Sequence, residues 1–225
     1  MSINHSIILC QPDSSKGCCV CCGLFNFKDI TEYNLSLFLE NSPQSKSNNS
    51  EINDIQTIYH DGIREITSYV CQYQGFISTN KPGCTRHHEL LGYDGRGISL
   101  YGSKICNDYL CPAHSLLNYE YKSILINSVF QWYLYSIAII DPASFVWCVD
   151  FAKKYLHGSL LGRNRIIFTK YINNALRIHG EYLTKTIKEL FFYSVFEYKQ
   201  YSSSFFISNN KKETIEIQTL LYTLC

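Results

Sequence analysis

The sequence predicts a mainly α fold, on three kinds of observation. Apolar residues recur at three- and four-residue spacing over several stretches, as they do on one-sided helices. Cap residues mark helix starts at Asp29 or Thr31, at Asp141 and at Asn164, with Pro142 in the first helical position after Asp141. Strand-type alternation is absent apart from Ser203–Ser208. Of the 225 residues, 46% are hydrophobic and 17% charged, so the chain can fill a core. A formal net charge of +1 excludes a strongly basic nucleic-acid binder and an acidic solvating tail.

The elements follow in order. Cys10 to Gly23 is polar and cysteine-rich and reads as a loop. A helix capped by Asp29 or Thr31 runs to about Leu39. Ser42–Ser50 is a polar low-complexity loop. Ile52, Ile55, Ile58, Tyr59, Ile66, Tyr69, Val70 and Tyr73 form the apolar face of a second helix. Cys71 lies at its end and reads as a core thiol, since a buried thiol behaves as a small hydrophobe. From Gln74 to Gly97 the periodicity vanishes among Gly75, Pro82, Gly83, Gly92, Gly95 and Gly97, and a long loop of this kind is read as functional. Its glycines are no phosphate loop, because no strand precedes them and no Lys-Ser/Thr follows. Asp94, Arg96, Tyr101 and Asp108 read as loop closure by Asp–Arg pairing rather than as a substrate site. Ile98–Tyr109 is a short helix stopped by Cys111-Pro112.

The second half is of another kind. Ser115–Ile140 is long and apolar. Its best membrane candidate, Ile124–Ile140, has 17 residues and contains Asn127, Ser128, Gln131 and Ser136. A span needs about 20 mostly apolar residues, so a buried core helix is expected there and no membrane span. Asp141-Pro142 opens a helix carrying Phe145, Val146, Val149, Phe151 and Ala152 until His157-Gly158, with Cys148 as a core thiol. Asn164 caps a helix that continues past Gly180 to about Tyr198, and its basic residues between Arg163 and Lys188 read as a solvated face. Phe130, Trp132, Tyr133, Trp147, Phe191 and Phe192 are expected in the core. Glu213–Leu224 closes the chain as a helix. Residues 1–115 and 116–225 are thus two regions of one globular unit, a cysteine-rich part packed with a helical bundle.

The cysteines are unevenly placed. Cys10, Cys18, Cys19, Cys21, Cys22, Cys71, Cys84, Cys106 and Cys111 precede residue 115, and only Cys148 and Cys225 follow. His5, His60, His87, His88 and His114 share the same stretch. Met1 to Cys10 lacks Lys and Arg and has only the short apolar run Ile7–Leu9, so it does not read as an export signal and a cytoplasmic, reducing setting is expected. There thiolates hold metal more often than they form bridges. Cys18-x-x-Cys21 and Cys19-x-x-Cys22 each have the spacing that lets two ligands face one ion across a tight turn, which Gly23 permits. Cys106-x4-Cys111 with His114 three residues on, and Cys84 between, complete the pattern. The candidate ligands are Cys18, Cys19, Cys21, Cys22, Cys84, Cys106, Cys111 and His114. His87 and His88 are adjacent, so at most one faces a given ion, and Cys10 and Cys225 stay unassigned. Zinc and an iron–sulfur cluster both suit such donors; an all-thiolate set favours the cluster and a mixed set favours zinc.

These motifs make the first 115 residues resemble the YkgJ-type cysteine-cluster family, also described as the CxxCxxCC zinc- or iron-chelating domain. The stretches that carry it are Lys16-Gly17-Cys18-Cys19-Val20-Cys21-Cys22-Gly23, then Gly83-Cys84, then Cys106 to Cys111. The opening is CCVCC rather than CxxCxxCC, and Pro112 follows Cys111 where the family has Arg-Pro before its late cysteine. The resemblance implies metal or iron–sulfur binding and no particular reaction. The expected function is therefore that of a metal-binding cysteine-cluster protein. Two alternatives stand beside it: a metal- or cluster-dependent enzyme of methyl transfer or redox chemistry, with the helical half covering the substrate, and a non-catalytic module that binds a protein partner through that half. Seven thiolates exceed one four-ligand site, which leaves room for a second metal or a free redox cysteine.

Overall fold

A computed structural model describes residues 7–41, 70–99, 101–158, 161–186, 194–204 and 206–225. The expected polar loop at Ser42–Ser50 and most of the second helix lie outside these residues.

The N-terminal half is held by turns and short elements. The chain from Ile7 to Gly23 folds back so that the Cys18 N–H donates to the Cys10 carbonyl at 3.0 Å. Asp13 braces this loop. Its Oδ1 accepts from the backbone N–H of Ser15 and of Lys16, each at 2.8 Å, and its other oxygen pairs with Lys16 Nζ at 2.7 Å. A 3-10 turn, Leu24–Asn26, follows the left-handed Gly23 (φ 82°). Helix α1, Glu32–Glu40, starts where Thr31 Oγ1 accepts from Asn34 N at 3.4 Å.

The stretch from Gln74 is not a structureless loop. Strands β1, Gln74–Ser78, and β2, Lys81–Cys84, form an antiparallel hairpin that pairs Gln74 with Cys84 and Gly75 with Gly83. Its turn passes through Asn80 at φ 56°, a left-handed conformation that Asn tolerates better than most residues. Tyr73 and Gln74 therefore do not continue a helix. Helices α2, His88–Leu91, and α3, Gly102–Asp108, follow, with a 3-10 turn at Arg96–Ile98 between them.

Helix α4, Pro112–Leu116, begins with Cys111 in the cap position and Pro112 in the first turn. The apolar stretch expected as one long helix is broken. Helix α5, Tyr119–Ser128, is capped by Asn118, and helix α6, Trp132–Ile140, starts after Gln131. At the break Val129 is extended, and Asn173 donates to the Ser128 carbonyl at 2.7 Å, which satisfies a group the helix no longer uses. Helix α7, Pro142–Tyr155, is capped by Asp141, whose side chain accepts from Ser144 N. Positive φ at His157 and Gly158 ends the turn beyond it, as the sequence predicts. Helix α8, Gly162–Thr186, carries its basic residues outward, with Arg163, Arg165, Lys170, Arg177 and Lys185 all exposed.

The sequence reading extends this helix to Tyr198, but Ser194 caps a separate helix α9, Val195–Tyr201. The possible strand at Ser203–Ser208 is absent too: Ser202–Ser204 and Ile207–Asn209 are 3-10 turns. Helix α10, Lys211–Leu224, is capped by Asn210.

The fold is thus mainly α. Every residue of α6 is buried, and α8 packs against α5, α6, α7 and α10 around it. One core cluster joins both regions, since it contains Leu9, Val20, Leu24 and Phe25 together with Trp132, Tyr133, Phe145 and Phe168. The Tyr135 hydroxyl ties them further by donating to the Leu9 carbonyl at 2.9 Å. Phe130 departs from the expectation: it is exposed, with Lys16 Nζ 5.4 Å from its ring centre. Among the described residues no single helix is long and apolar enough to cross a membrane; α6 and α7 reach that length only together and meet at 105°.

One close approach fastens the cysteine loop to the hairpin. A Cβ on Gly17 would stand 2.2 Å from the Pro82 carbonyl oxygen and 2.6 Å from Gln11 Nε2, which itself donates to that oxygen at 3.1 Å. Backbone cannot yield as a flexible side chain would, so Gly17→Ala is expected to destabilise the protein by roughly 1–3 kcal/mol. A urea midpoint lowered at constant slope checks this; an unchanged midpoint would mean that the loop and hairpin part freely.

Candidate metal centre

The fold brings the cysteines of four sequence-distant stretches to one place. A cavity of about 210 Å³ is lined by Cys10, Cys18, Cys19, Cys21, Cys22, Cys71, Cys84 and Cys106. The local reasons are separate. Cys10 and Cys18 are joined through backbone across the Asp13-braced loop. The run from Cys18 to Cys22 turns sharply, with the Gly23 N–H donating to the Val20 carbonyl at 2.9 Å. Cys71 enters from the other side, where its N–H donates to the Cys22 carbonyl at 2.8 Å. Cys84 ends β2, and Cys106 sits at the exposed rim on α3.

All eleven cysteines are unbridged. Cys19 and Cys22 are hydrogen-bonded to each other, as are Cys21 and Cys22. Burial pushes the Cys10 and Cys18 thiols up, and each is raised further by neighbouring thiols. Contact with Cys22 raises Cys21 most, with burial adding to it. For Cys19 the hydrogen bond with Cys22 lowers the value, but burial and the thiols of Cys18, Cys21 and Cys84 override it and the net shift is upward. Burial likewise raises Cys111, to about 11. These groups are neutral thiols at pH 7, and their crowding disfavours more than one thiolate at a time unless a cation enters. Among the described residues, no three of these side chains already converge on a common ion-sized point; they surround the cavity instead.

Among the described residues, Arg96 is the one permanently charged residue that lines the cavity. Arg96 is buried and held by Asp94, with Nε to Oδ1 at 2.7 Å and Nη2 to Oδ2 at 3.1 Å, and it also donates to Asn107. The Asp–Arg loop closure expected from sequence is therefore present, and it also sets a positive charge near Cys84 and Cys106. Gln11, another lining residue, has a buried Oε1 without a hydrogen-bond partner in the structure.

The other candidate residues divide. Cys111 is buried beside Cys10, Cys18 and Cys21 but does not line the cavity. His114 was expected as a ligand. Its Nε2 instead accepts from the Leu9 N–H at 3.3 Å and lies 3.9 Å from Cys10 Sγ, so its lone pair is engaged by backbone. Burial, helped by the charge of Lys122, lowers His114 to about 4, which keeps the ring neutral for that role. His87 lines the cavity, while His88 stands against it with ring centres 4.2 Å apart. Cys71, expected as a core thiol at the end of a helix, faces the cavity and is not part of the main core cluster. Cys10, unassigned by sequence, also belongs to the site. Cys148 is a core thiol as expected.

Comparison of the chain with protein-family models, curated proteins and solved structures finds no match.

Proposed function

We propose that this protein is a cysteine-cluster metal protein that holds zinc or an iron–sulfur cluster, working in the reducing cytoplasm. The observation that carries this reading is the meeting of eight unbridged cysteines around one cavity. Core thiols pack singly among hydrophobes, as Cys148 does. Eight thiols around shared space have no such explanation. Soft sulfur donors suit zinc and iron–sulfur clusters, and among the described residues no carboxylate lines the cavity to favour a harder ion. The sequence resemblance to the YkgJ-type family implies the same chemistry. A bound metal would supply the positive charge that lets several neighbouring thiols ionise together, and its binding free energy would add to that of folding.

The decisive experiment is anaerobic purification of the full chain, followed by a visible spectrum and by elemental analysis for zinc, iron and sulfide. Stoichiometric zinc in a colourless protein, or iron and sulfide with broad visible absorption, is the expected result. A folded, fully reduced protein that carries neither and takes up neither on reconstitution would overturn the proposal.

A further inference from the structure

We propose that the cysteines form two tetrathiolate metal sites with interleaved ligands: Cys10, Cys18, Cys21 and Cys111 in one, and Cys19, Cys22, Cys71 and Cys84 in the other. This inference rests on the metal-binding reading above and deepens it.

Backbone geometry makes the division. On one side, Cys18 N–H reaches the Cys10 carbonyl at 3.0 Å. Cys111 caps the helix that carries His114, and His114 Nε2 lies 3.9 Å from Cys10 Sγ. Cys10, Cys18 and Cys111 are thereby gathered at one end. On the other side, Cys71 N–H reaches the Cys22 carbonyl at 2.8 Å, and Gln74 Nε2 donates to that same carbonyl at 3.3 Å. Gln74 is the register partner of Cys84 in the hairpin. Cys22, Cys71 and Cys84 are thereby gathered beside the hairpin.

The CCVCC turn then serves both. Adjacent side chains diverge, whereas residues three apart on a turn share a side. Cys18 pairs with Cys21, and Cys19 pairs with Cys22. Thiol neighbours link the members of each set, while Cys21 with Cys22, and Cys19 with Cys18 and Cys21, also touch across the turn that the two sets share. Every pair among Cys10, Cys18, Cys21 and Cys111 interacts. Cys19, Cys22, Cys71 and Cys84 close a ring of neighbours: Cys19 with Cys22, Cys22 with Cys71, Cys71 with Cys84, and Cys84 with Cys19. Cys106 is left over at the rim, near Cys21 and Cys84, where it stands beside both sets and completes neither.

The test uses the full chain, reduced and stripped of metal, titrated anaerobically with cobalt(II). Thiolate-to-cobalt absorption is expected to saturate at two equivalents. The double variants Cys10→Ser/Cys111→Ser and Cys71→Ser/Cys84→Ser should each saturate at one, and Cys148→Ser at two. No binding by the wild type would overturn the metal reading itself. One equivalent in the wild type would overturn only the division into two sites, as would a double variant that keeps its helical circular dichroism yet binds none or two. Where a double variant loses that signal, zinc-loaded wild-type chains are alkylated and weighed intact. Beyond thiols that the metal-free folded chain also protects, such as the core Cys148, chains with one ion should hold four protected thiols and chains with two should hold eight. Peptide mapping of the singly loaded chains should place the protected four within one set or the other; four protected thiols at saturation, or a mixed quartet, overturns the assignment.

Discussion

If the protein holds metal as proposed, stripping it from the reduced chain with a strong chelator is expected to lower the melting temperature by at least roughly 10–20 °C. Structural zinc in small thiolate sites contributes about 10–16 kcal/mol of binding free energy, comparable with the whole stability of an ordinary domain at about 5–15 kcal/mol. Not all of that is lost here. Leu9, Val20, Leu24 and Phe25 stay buried against α6 by hydrophobic contact alone, so the cysteine loop keeps part of its support without an ion. A net loss of about 5 kcal/mol is enough for the predicted shift, since each kcal/mol moves a domain of this size by about 2–4 °C. The damage should be local. The Cys10 to Gly23 loop, the β1–β2 hairpin and the short helices α2 and α3 bury little apolar surface apart from those anchors. Amide hydrogen exchange in these segments should accelerate on chelation, while α6, α7 and α8 keep their protection. Re-adding the group that elemental analysis identifies, zinc or iron with sulfide under reducing conditions, should restore the original melting curve. A curve that chelator leaves in place, with the metal shown to be gone, would mean that packing alone holds the loops.

Much of the helical half was legible because its signals are local. Asp141 followed by Pro142 satisfies the first N–H groups of α7 wherever the helix lies, and His157-Gly158 marks its end by backbone conformation. The break between α5 and α6 was not legible, because it depends on Asn173, 45 residues away, taking the Ser128 carbonyl. The hairpin was hidden for a similar reason. Its strands are short, contain Gly75, Pro82 and Gly83, and are held partly by Gln11 reaching Pro82 across the fold. In the site, the paired cysteines at Cys18 to Cys22 announced themselves by spacing. Cys10 and Cys71 did not, since each stands alone after apolar residues that suggest another role. What brings them to the cavity is backbone pairing to Cys18 and Cys22, which no spacing rule encodes. His114 has ligand spacing, three residues after Cys111, and its Nε2 also accepts from the Leu9 N–H, a contact that no spacing encodes.

His179→Ala is expected to cost about 3–5 kcal/mol, because it leaves two buried carboxylates without their shared cation. His179 lies on the stripe of α8 that also carries Phe168, Tyr171, Ile172, Ala175, Leu176 and Leu183, and it is fully buried. Its Nδ1 is 2.6 Å from Glu213 Oε1 and its Nε2 is 3.1 Å from Asp141 Oδ2. Both ring nitrogens face carboxylate oxygens, so the ring donates twice only as an imidazolium. Burial opposes that charge, but the hydrogen bonds and charges of Asp141 and Glu213 prevail and raise His179 to about 9. Asp141 also accepts from the Tyr198 hydroxyl and from Ser144 N; Cys148 neighbours both acids and Tyr182 neighbours Glu213. The cluster joins α8, α9, α10 and the α6–α7 corner. Since the folded value lies above the ordinary histidine value of about 6.5, the contribution is complete below that pH and fades as pH rises through 9. The span amounts to roughly 3 kcal/mol. Urea unfolding at pH 6 and at pH 9.5 should therefore show the wild type losing stability toward alkaline pH by an amount of that order. His179→Ala should start lower at pH 6 and lose markedly less over the same interval. A variant with wild-type stability at pH 6, or with an undiminished alkaline slope, would show that the pairing of His179 with Asp141 and Glu213 contributes nothing to holding the helices together.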